Sequence, residues 1–538
     1  MAKDNNKEGL FWTPLGGNNI DQFSGNCHYY NVVTSDKEGK SQDDGVIIDL
    51  GIFDNYDGLG KDKAEAAFAD VRDLIKEKKA GAILLTHAHI DHIGAVAEYV
   101  KLGYDLPPIY AGSFTISMLK RSFADKKIPL KKWPKIEKID AGSKIKIGKM
   151  SLEAVSVSHS VPDAFGFFIK TEKGNMFHTG DFKVDQTTKL GKGSDLKRLE
   201  EIGKEGVDAM VADATTVFQK GYAREEEKIE KAYFELIKKA EGRQVIVAAS
   251  GGHMERYASI FRAGGSCGRT VVNAGTPYQI SHLRGLKKAG YDITFGGKLS
   301  LCDVKSLKAK TTSSDKKMIV TSGSYRESSY LDKALAGKKA PFEVEKNALI
   351  LVESRHVSDE MRKNAAKFGA EIITSQDFEN ISGSGHAQKE DMLVFANLTK
   401  AKMIAPTHCH QDRGQSFVET MTAAGFNVSS VPLNGMTFKL TDKGLELYEV
   451  KTPNWVISNK KEGSKWEAEE AVVEQKPSRG KGGVPFRRTE RSAEANVENR
   501  DEHLSNVKKV IEAYKTKVKK GQAKKAVVAE AIKKQMGR

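Results

Sequence analysis

Residues 83–96 read ILLTHAHIDHIGAV and set His87, His89, Asp91 and His92 within six positions. Imidazoles and carboxylates are costly to gather so closely unless a cation sits among them. Successive side chains of a strand alternate, so His87 and His89, at the frayed end of the apolar run Ile83–Leu85, point to one side and can share one metal ion. The chain then turns, and Asp91 and His92 can reach a second ion beside it. Imidazole and carboxylate donors without thiolate suit zinc or manganese. One histidine here would be an ordinary surface or capping residue, whereas four such groups at this spacing are hard to explain that way. His159 in AVSVSHSVPD, Asp181 in FHTGDFK and His408 in MIAPTHCH extend the set. A carboxylate has two oxygens and can bridge ions about 3.5–4 Å apart, which makes Asp181 the candidate bridge. Taken singly, His159 and His408 read as well as plain buried histidines.

Strands must carry these groups. DGVIIDLG, AGAILLTH, SLEAVSVSH and NMFHTGDF each read as a short apolar strand ending in a polar cluster. Active groups on loops after strand ends are a common α/β arrangement. A second pattern begins near residue 215. RQVIVAAS, TVVNAG, MIVTSG and ALILVES are β-branched and apolar throughout, and HMERYASIFRA, ISHLRGLKKAG, SSYLDKALAG and SDEMRKNAAKFG between them look helical. Such alternation predicts a parallel sheet covered on both faces. AKMIAPTH and MTFKLTD then resume the first style, as expected of a domain inserted in a loop of another.

The chain has 538 residues, too many for one core, so two or three domains are expected. Its net charge of +15 suggests a polyanionic partner. No apolar run is long enough to span a membrane, and the opening MAKDNNKEGLFW lacks the apolar core of a secretory signal. The four cysteines are scattered, which argues against a disulfide scaffold or thiolate zinc site and leads us to expect a reducing cytoplasm. QKPSRGKGGVPFRRTERS reads as a flexible linker, with two helix-like segments after it. Residues 451–538 hold 22 Lys and Arg against 12 Asp and Glu, most of the chain's excess charge. This segment reads equally as a solvated helical hairpin or as an RNA-anchoring arm.

THAHIDHIGA, HSVPDAFGFFIKTEKGNMFHTGDFK, SGSGHA and PTHCHQDRG together resemble the metallo-β-lactamase superfamily, in its β-CASP branch and within that the ribonuclease J family, from about residue 11 to 440. The histidine motif alone would indicate only the superfamily; the later motifs are more specific. The resemblance implies an α/β fold: an αββα sandwich with an inserted parallel-sheet β-CASP domain and a small basic C-terminal segment. The expected division is 8–215 and 385–450 for the two parts of the sandwich, 216–384 for the insertion, 451–500 for a linker and 501–538 for the basic helical segment.

Carried over by position, the resemblance assigns His87, His89, His159 and Asp181 to one metal ion, and Asp91, His92, Asp181 and His408 to the other. It gives Asp213 the acidic place that begins the branch's motifs. His386 takes the role of assisting the leaving group, and Asp91 could also orient the attacking water. Ser250 and His253 fall in a segment implied to contact RNA. Ser382 and Ser384 precede His386. Ser322, Gly323 and Ser324 form a Gly/Ser turn able to offer N–H groups to phosphate. Ser382 stands where the family usually has a histidine that holds a 5′-monophosphate. GSYRESS and NNIDQFSGN also depart from the usual glycine-rich turns.

The implied activity is metal-dependent hydrolysis of single-stranded RNA, 5′-to-3′ with possible internal cleavage, using two divalent ions, zinc before manganese, in a homodimer or homotetramer without membrane attachment. Two other readings compete: a β-CASP nuclease acting on DNA, and a hydrolase of small esters or thioesters. The latter leaves the insertion and basic tail without a role. A non-catalytic RNA-binding subunit is disfavoured, since all seven ligand positions are filled.

Overall fold

A computed structural model describes residues 8–19, 25–36, 38–52, 64–294, 299–301, 317–322, 329–451, 454–460 and 466–472. Two sheets stack face to face. The first has eight strands, in the order Gly444–Val450, Met436–Thr441, Gly9–Gly16, Cys27–Ser35, Ser41–Ile48, Ala80–Leu84, Ile109–Ala111 and Ile136–Lys138. The second has six: Met403–Thr407, Ala209–Asp213, Gly174–His178, Phe165–Thr171, Met150–Ser156 and Lys144–Ile147. Alternation along the strands explains the layering. Leu10, Trp12, Val46, Ile48, Ala82 and Leu84 meet Leu152, Ala154, Phe167, Ile169 and Val211 between the sheets. The opposite faces of both sheets carry helices. Ile47 and Ile83 pack under Ile90–Lys101 and Ser113–Asp125, while Phe168, Phe177 and Met210 pack under Leu196–Glu205 and Lys389–Thr399. The result is the expected αββα sandwich.

The chain leaves the second sheet at Asp213 and returns at Met403–Thr407, which pairs parallel with Ala209–Asp213. Between them lies a six-stranded parallel sheet, ordered Leu299–Leu301, Thr270–Asn273, Lys317–Ser322, Val245–Ala249, Leu349–Val352 and Glu371–Thr374. Val245, Val247 and Ala249 face one helical layer, Ile246 and Ala248 the other. Burial on both faces is why these strands read as unbroken apolar runs.

One expectation needs correcting. The stretch 451–500 was expected to be a linker, yet Asn454–Lys460 and Trp466–Val472 are strands that form a three-stranded sheet with Ala64–Ala69. Val456 is fully buried there, in the cluster beneath the first sheet. The β-branched run in NWVISN was the overlooked signal. The rest of that stretch and the basic segment 501–538 lie outside the described residues.

Buried charges join the insertion to the sandwich. Lys183 contacts Asp185 and Glu226 at 3.0 and 3.3 Å. Arg256 bonds Glu226 at 3.1 Å and also pairs with Glu353. Glu255 accepts from the backbone N–H groups of Lys189 and Gly191 at 2.6 and 3.0 Å. Arg256 Nη2 donates to the Gly383 carbonyl (3.1 Å), which ties the SGSGH loop to this network.

Candidate metal centre

The strands ending at Ile48 and Leu84 run parallel, as do those ending at His178, Asp213 and Thr407. Their C-terminal ends therefore deliver Asp49, His87, Asp181, Asp213 and His408 to one rim of the sandwich, opposite the insertion. His89 ends its extended stretch as the cap of the helix Ile90–Lys101, and Asp91 lies in that helix's first turn. Two backbone features are needed. Gly180, at φ +57°, makes the turn before Asp181, and a Cβ there would come 2.8 Å from the Phe165 carbonyl. His408 itself adopts φ +54°, a left-handed conformation that costs a non-glycine residue about 1 kcal/mol. Strain of this kind persists where the surroundings over-determine it, often at functional sites.

Donor atoms of His87, His89, His159 and Asp181 all lie within 4.8 Å of one another, as do those of Asp91, His92 and His408. Asp181 stands between the sets. Its Oδ2 is 3.3 Å from His92 Nε2 and 3.7 Å from both His87 Nε2 and His159 Nε2, while Oδ1 is 3.2 Å from His408 Nδ1. All seven sequence-derived ligand candidates are thus brought together. Asp181, Asp213, His386 and His408 make a further group of the same tightness.

Hydrogen bonding on the far side of each ring shows which nitrogens face inward with lone pairs. Thr86 Oγ1 donates to Asp49 Oδ2 (2.8 Å) and so accepts from His87 Nδ1 (3.0 Å), leaving His87 Nε2 bare. His159 Nδ1 donates to the Gly385 carbonyl (2.8 Å), leaving its Nε2 bare. Both bare nitrogens point at His89 Nδ1, at 2.9 and 3.2 Å. One proton on His89 cannot serve both well, whereas a cation among the three rings can. His92 Nδ1 donates to Asp49 Oδ2 (2.7 Å), so its Nε2 also faces inward. The Asn26 carboxamide lies 3.0 Å from that nitrogen and would have to yield to an ion. The donor set therefore fits two divalent cations.

Electrostatics agree. Burial holds His87, His89 and His159 below the ordinary imidazole range, in the neutral form that ligates. Burial opposes charge on His408 too, yet Asp181, Asp213 and Asp91 push it up to about 10. His92 is likewise raised, against burial, by Asp181, Asp91 and Asp49. Asp181 is held well below the usual carboxylate range because His408, His92 and His386 outweigh its burial. Cations entering this cluster would displace protons from it.

His386 is 2.8 Å from Asp213 Oδ2 through Nδ1. Its side chain keeps 22% of its exposure, against 3% for Asp181. The Ser384 hydroxyl accepts from the His386 N–H (3.0 Å) and shapes the loop. Ser382 is half-buried, with its carbonyl held by Arg224. Ser250 is exposed, and its N–H donates to Glu353 (2.6 Å). His253 caps the helix Met254–Ser266 through Nδ1, while its buried Nε2 has no hydrogen-bond partner. Ser322 is buried, and its hydroxyl is committed to Thr276 at 3.1 Å. Gly323 and Ser324 lie outside the described residues. Sequence reasoning missed Asp49 and Thr86, which position the ligand rings, and Asn26, whose backbone N–H donates to the Asp91 carbonyl (2.7 Å). The signal for Asp49 was present, since IIDLG ends in a polar cluster as the ligand-bearing strands do.

Residues 59–223 match the β-lactamase superfamily domain. Ribonuclease J of Mycobacterium tuberculosis is 27% identical over 371 residues, 68% of this chain and 64% of that protein. Ribonuclease J of Sinorhizobium meliloti is 27% identical over 430 residues, covering 76% and 70%, and that of Helicobacter pylori 28% over 431, covering 78% and 59%. The match thus spans less than two thirds of the first of these relatives. A protein of unknown function from Enterococcus faecalis V583 shares the fold, with a TM-score of 0.52 at 15% identity over 80% of this chain and all of that one. In its fold, and over the matched residues, the chain is similar to the metallo-β-lactamase superfamily. Within that superfamily the relatives it resembles in sequence are ribonuclease J proteins.

Proposed function

We propose that this chain is a metal-dependent ribonuclease of the β-CASP branch, hydrolysing phosphodiesters of single-stranded RNA from the 5′ end, with internal cleavage as a second mode. The observation that carries the reading is Asp181, set between two groups of inward-facing donors with the His386–Asp213 pair beside them. His87, His89, His159 and Asp181 would hold one ion, and Asp91, His92, Asp181 and His408 the other, zinc before manganese. When bound, such a pair supplies an acidified water and neutralises charge on the phosphoryl group. Asp91, whose side chain is 26% exposed, orients the water and takes its proton. His386 gives a proton to the departing 3′ oxygen, and Asp213 keeps its ring oriented and charged. The 5′ side of the strand lies toward Ser382, Ser384 and Ser250. The division into sandwich (8–215 and 385–450) and insertion (216–384), the dimeric or tetrameric state and a cytoplasmic site belong to the same reading. Among the described residues no helix is long and apolar enough to cross a membrane.

The test is a time course with Zn²⁺ or Mn²⁺ on 5′-labelled single-stranded RNA carrying a monophosphate or a triphosphate, with a DNA strand of the same sequence alongside. Labelled mononucleotide released from the monophosphate strand supports the 5′ exonuclease. Longer labelled fragments from both RNAs make the enzyme an endonuclease. Cleavage of DNA alone, or of no strand by the metal-loaded protein, overturns the ribonuclease reading.

A further inference from the structure

A groove of about 820 Å³ opens beside the metal ligands, between the helices Ile90–Lys101 and Ser113–Asp125 of the sandwich and Pro277–Lys288 of the insertion. Ile52, Ile93 and Met118 contribute an apolar floor, and Ala88 and Ile90 bring it to the ligand loop itself. Tyr278 forms one wall with 45% of its surface exposed, and its ring lies 4.2 Å from that of His282. A Cβ built on Gly252 would sit 3.6 Å from the Tyr278 hydroxyl and 3.9 Å from His89 Nε2. A single methyl group there would therefore touch both the tyrosine and the ligand cluster, and glycine leaves that space open.

His282 Nδ1 donates to the Tyr278 carbonyl (2.9 Å), which leaves Nε2 as an acceptor on a residue lining the groove. Burial lowers this imidazole to about 4, so it stays neutral. The outer end is basic. Arg121 and Lys126 line it in ion pairs with Asp125 and Glu98, while Lys127 is exposed and makes no ion pair among the described residues. Residues 120–135, KRSFADKKIPLKKWPK, hold seven Lys and Arg against one Asp. An exposed aromatic ring, a neutral acceptor and a cationic rim are the parts that bind a single-stranded nucleotide chain: stacking for the base, charge for the phosphates.

We propose that this groove is a nucleotide subsite, in which a base stacks on Tyr278, His282 Nε2 accepts from a base or ribose donor, and the Arg121–Lys127 rim holds the neighbouring phosphates. The inference rests on the nuclease reading and names where one flank of the strand lies.

Binding is measured by fluorescence anisotropy on the full chain with metals chelated, so that nothing is cut. The probe is a 3′-labelled single-stranded RNA, alongside versions with an abasic residue at each position in turn. The wild type should lose affinity for one abasic strand in the series. Tyr278→Ala should bind intact RNA about tenfold more weakly and no longer distinguish that strand, while Tyr278→Phe should behave as wild type. Lys126→Gln with Lys127→Gln should reduce the slope of log K against log salt by about 0.7 for each phosphate released. Melting temperatures of the variants report whether they are folded. Unchanged affinity and salt slope in folded variants overturn the subsite, and normal RNA cleavage by the same variants would leave the nuclease reading standing. Conversely, RNA bound with the expected variant pattern, but never cut once metal is restored, supports the subsite and overturns the nuclease reading.

Discussion

The metal centre and the mouth of the insertion face each other, yet they are built on different terms. At the metal centre each functional side chain has a second partner: Asp49 behind His92, Thr86 behind His87, the Gly385 carbonyl behind His159, Asp213 behind His386. At the mouth, Ser322 spends its hydroxyl on Thr276 and Ser250 its N–H on Glu353. The groups that line the groove there are the open space at Gly252, the exposed ring of Tyr278 and the imidazole of His282. Metal chemistry demands particular donor atoms, which few residue types carry. Recognition of a flexible polyanion needs only shape, stacking and charge, which many residue types can supply.

This contrast is best broken at Asp181. Asp181→Asn should lower kcat/KM by about 1000-fold or more and reduce bound metal, read by elemental analysis and turnover. Retention of both ions and normal turnover would remove the bridging role. Next comes the joint between the two regions. Glu226→Gln leaves Lys183 and Arg256 buried without their shared carboxylate, and should cost about 3–5 kcal/mol in denaturant unfolding. Burial pushes the Glu226 carboxyl up, but Arg256 and Lys183 outweigh it and hold it below its ordinary value. Its contribution is therefore complete above the unfolded value of about 4.5 and is lost as pH falls toward the depressed folded one. The variant should accordingly lose less stability than wild type on acidification through that range.

Asp213→Asn tests the proton donor. Burial favours the neutral His386 ring, but Asp213 and Asp181 raise it above the ordinary imidazole value. A raised value keeps the ring protonated to higher pH. The variant should lose roughly 10–100-fold in kcat, and the alkaline limb of its rate profile should move to lower pH. An unmoved limb would detach His386 from that step. The smallest effect is expected from deleting residues 476–538, with a few-fold weaker RNA binding and a shallower salt dependence. An unchanged slope would return that segment to a solvated helical role.

Legibility in the sequence followed the same contrast. His87, His89, Asp91 and His92 declared themselves by type and spacing, and His159, Asp181 and His408 by their places after apolar strands. Asp49 was harder to see, because an aspartate after a strand is common and its bond to His92 spans 43 residues. Tyr278 and His282 carried no signal, since a tyrosine and histidine one turn apart on a helix ordinarily belong to a core. The strands Asn454–Lys460 and Trp466–Val472 were hidden by the charged, glycine-rich chain after them.

By itself the sequence determined the short strands ending in polar clusters, the inserted parallel sheet and the donor types, because strand periodicity and ligand chemistry are local properties of residues, while the sandwich was implied by the family resemblance. Only the tertiary structure decided that His408 meets Asp91 across 317 positions at 3.2 Å, which nitrogen of each ring turns inward, and that Tyr278 stands beside His89. Those facts depend on how separate strand ends meet at one rim, and that is set by packing between sheets and domains rather than by any one segment.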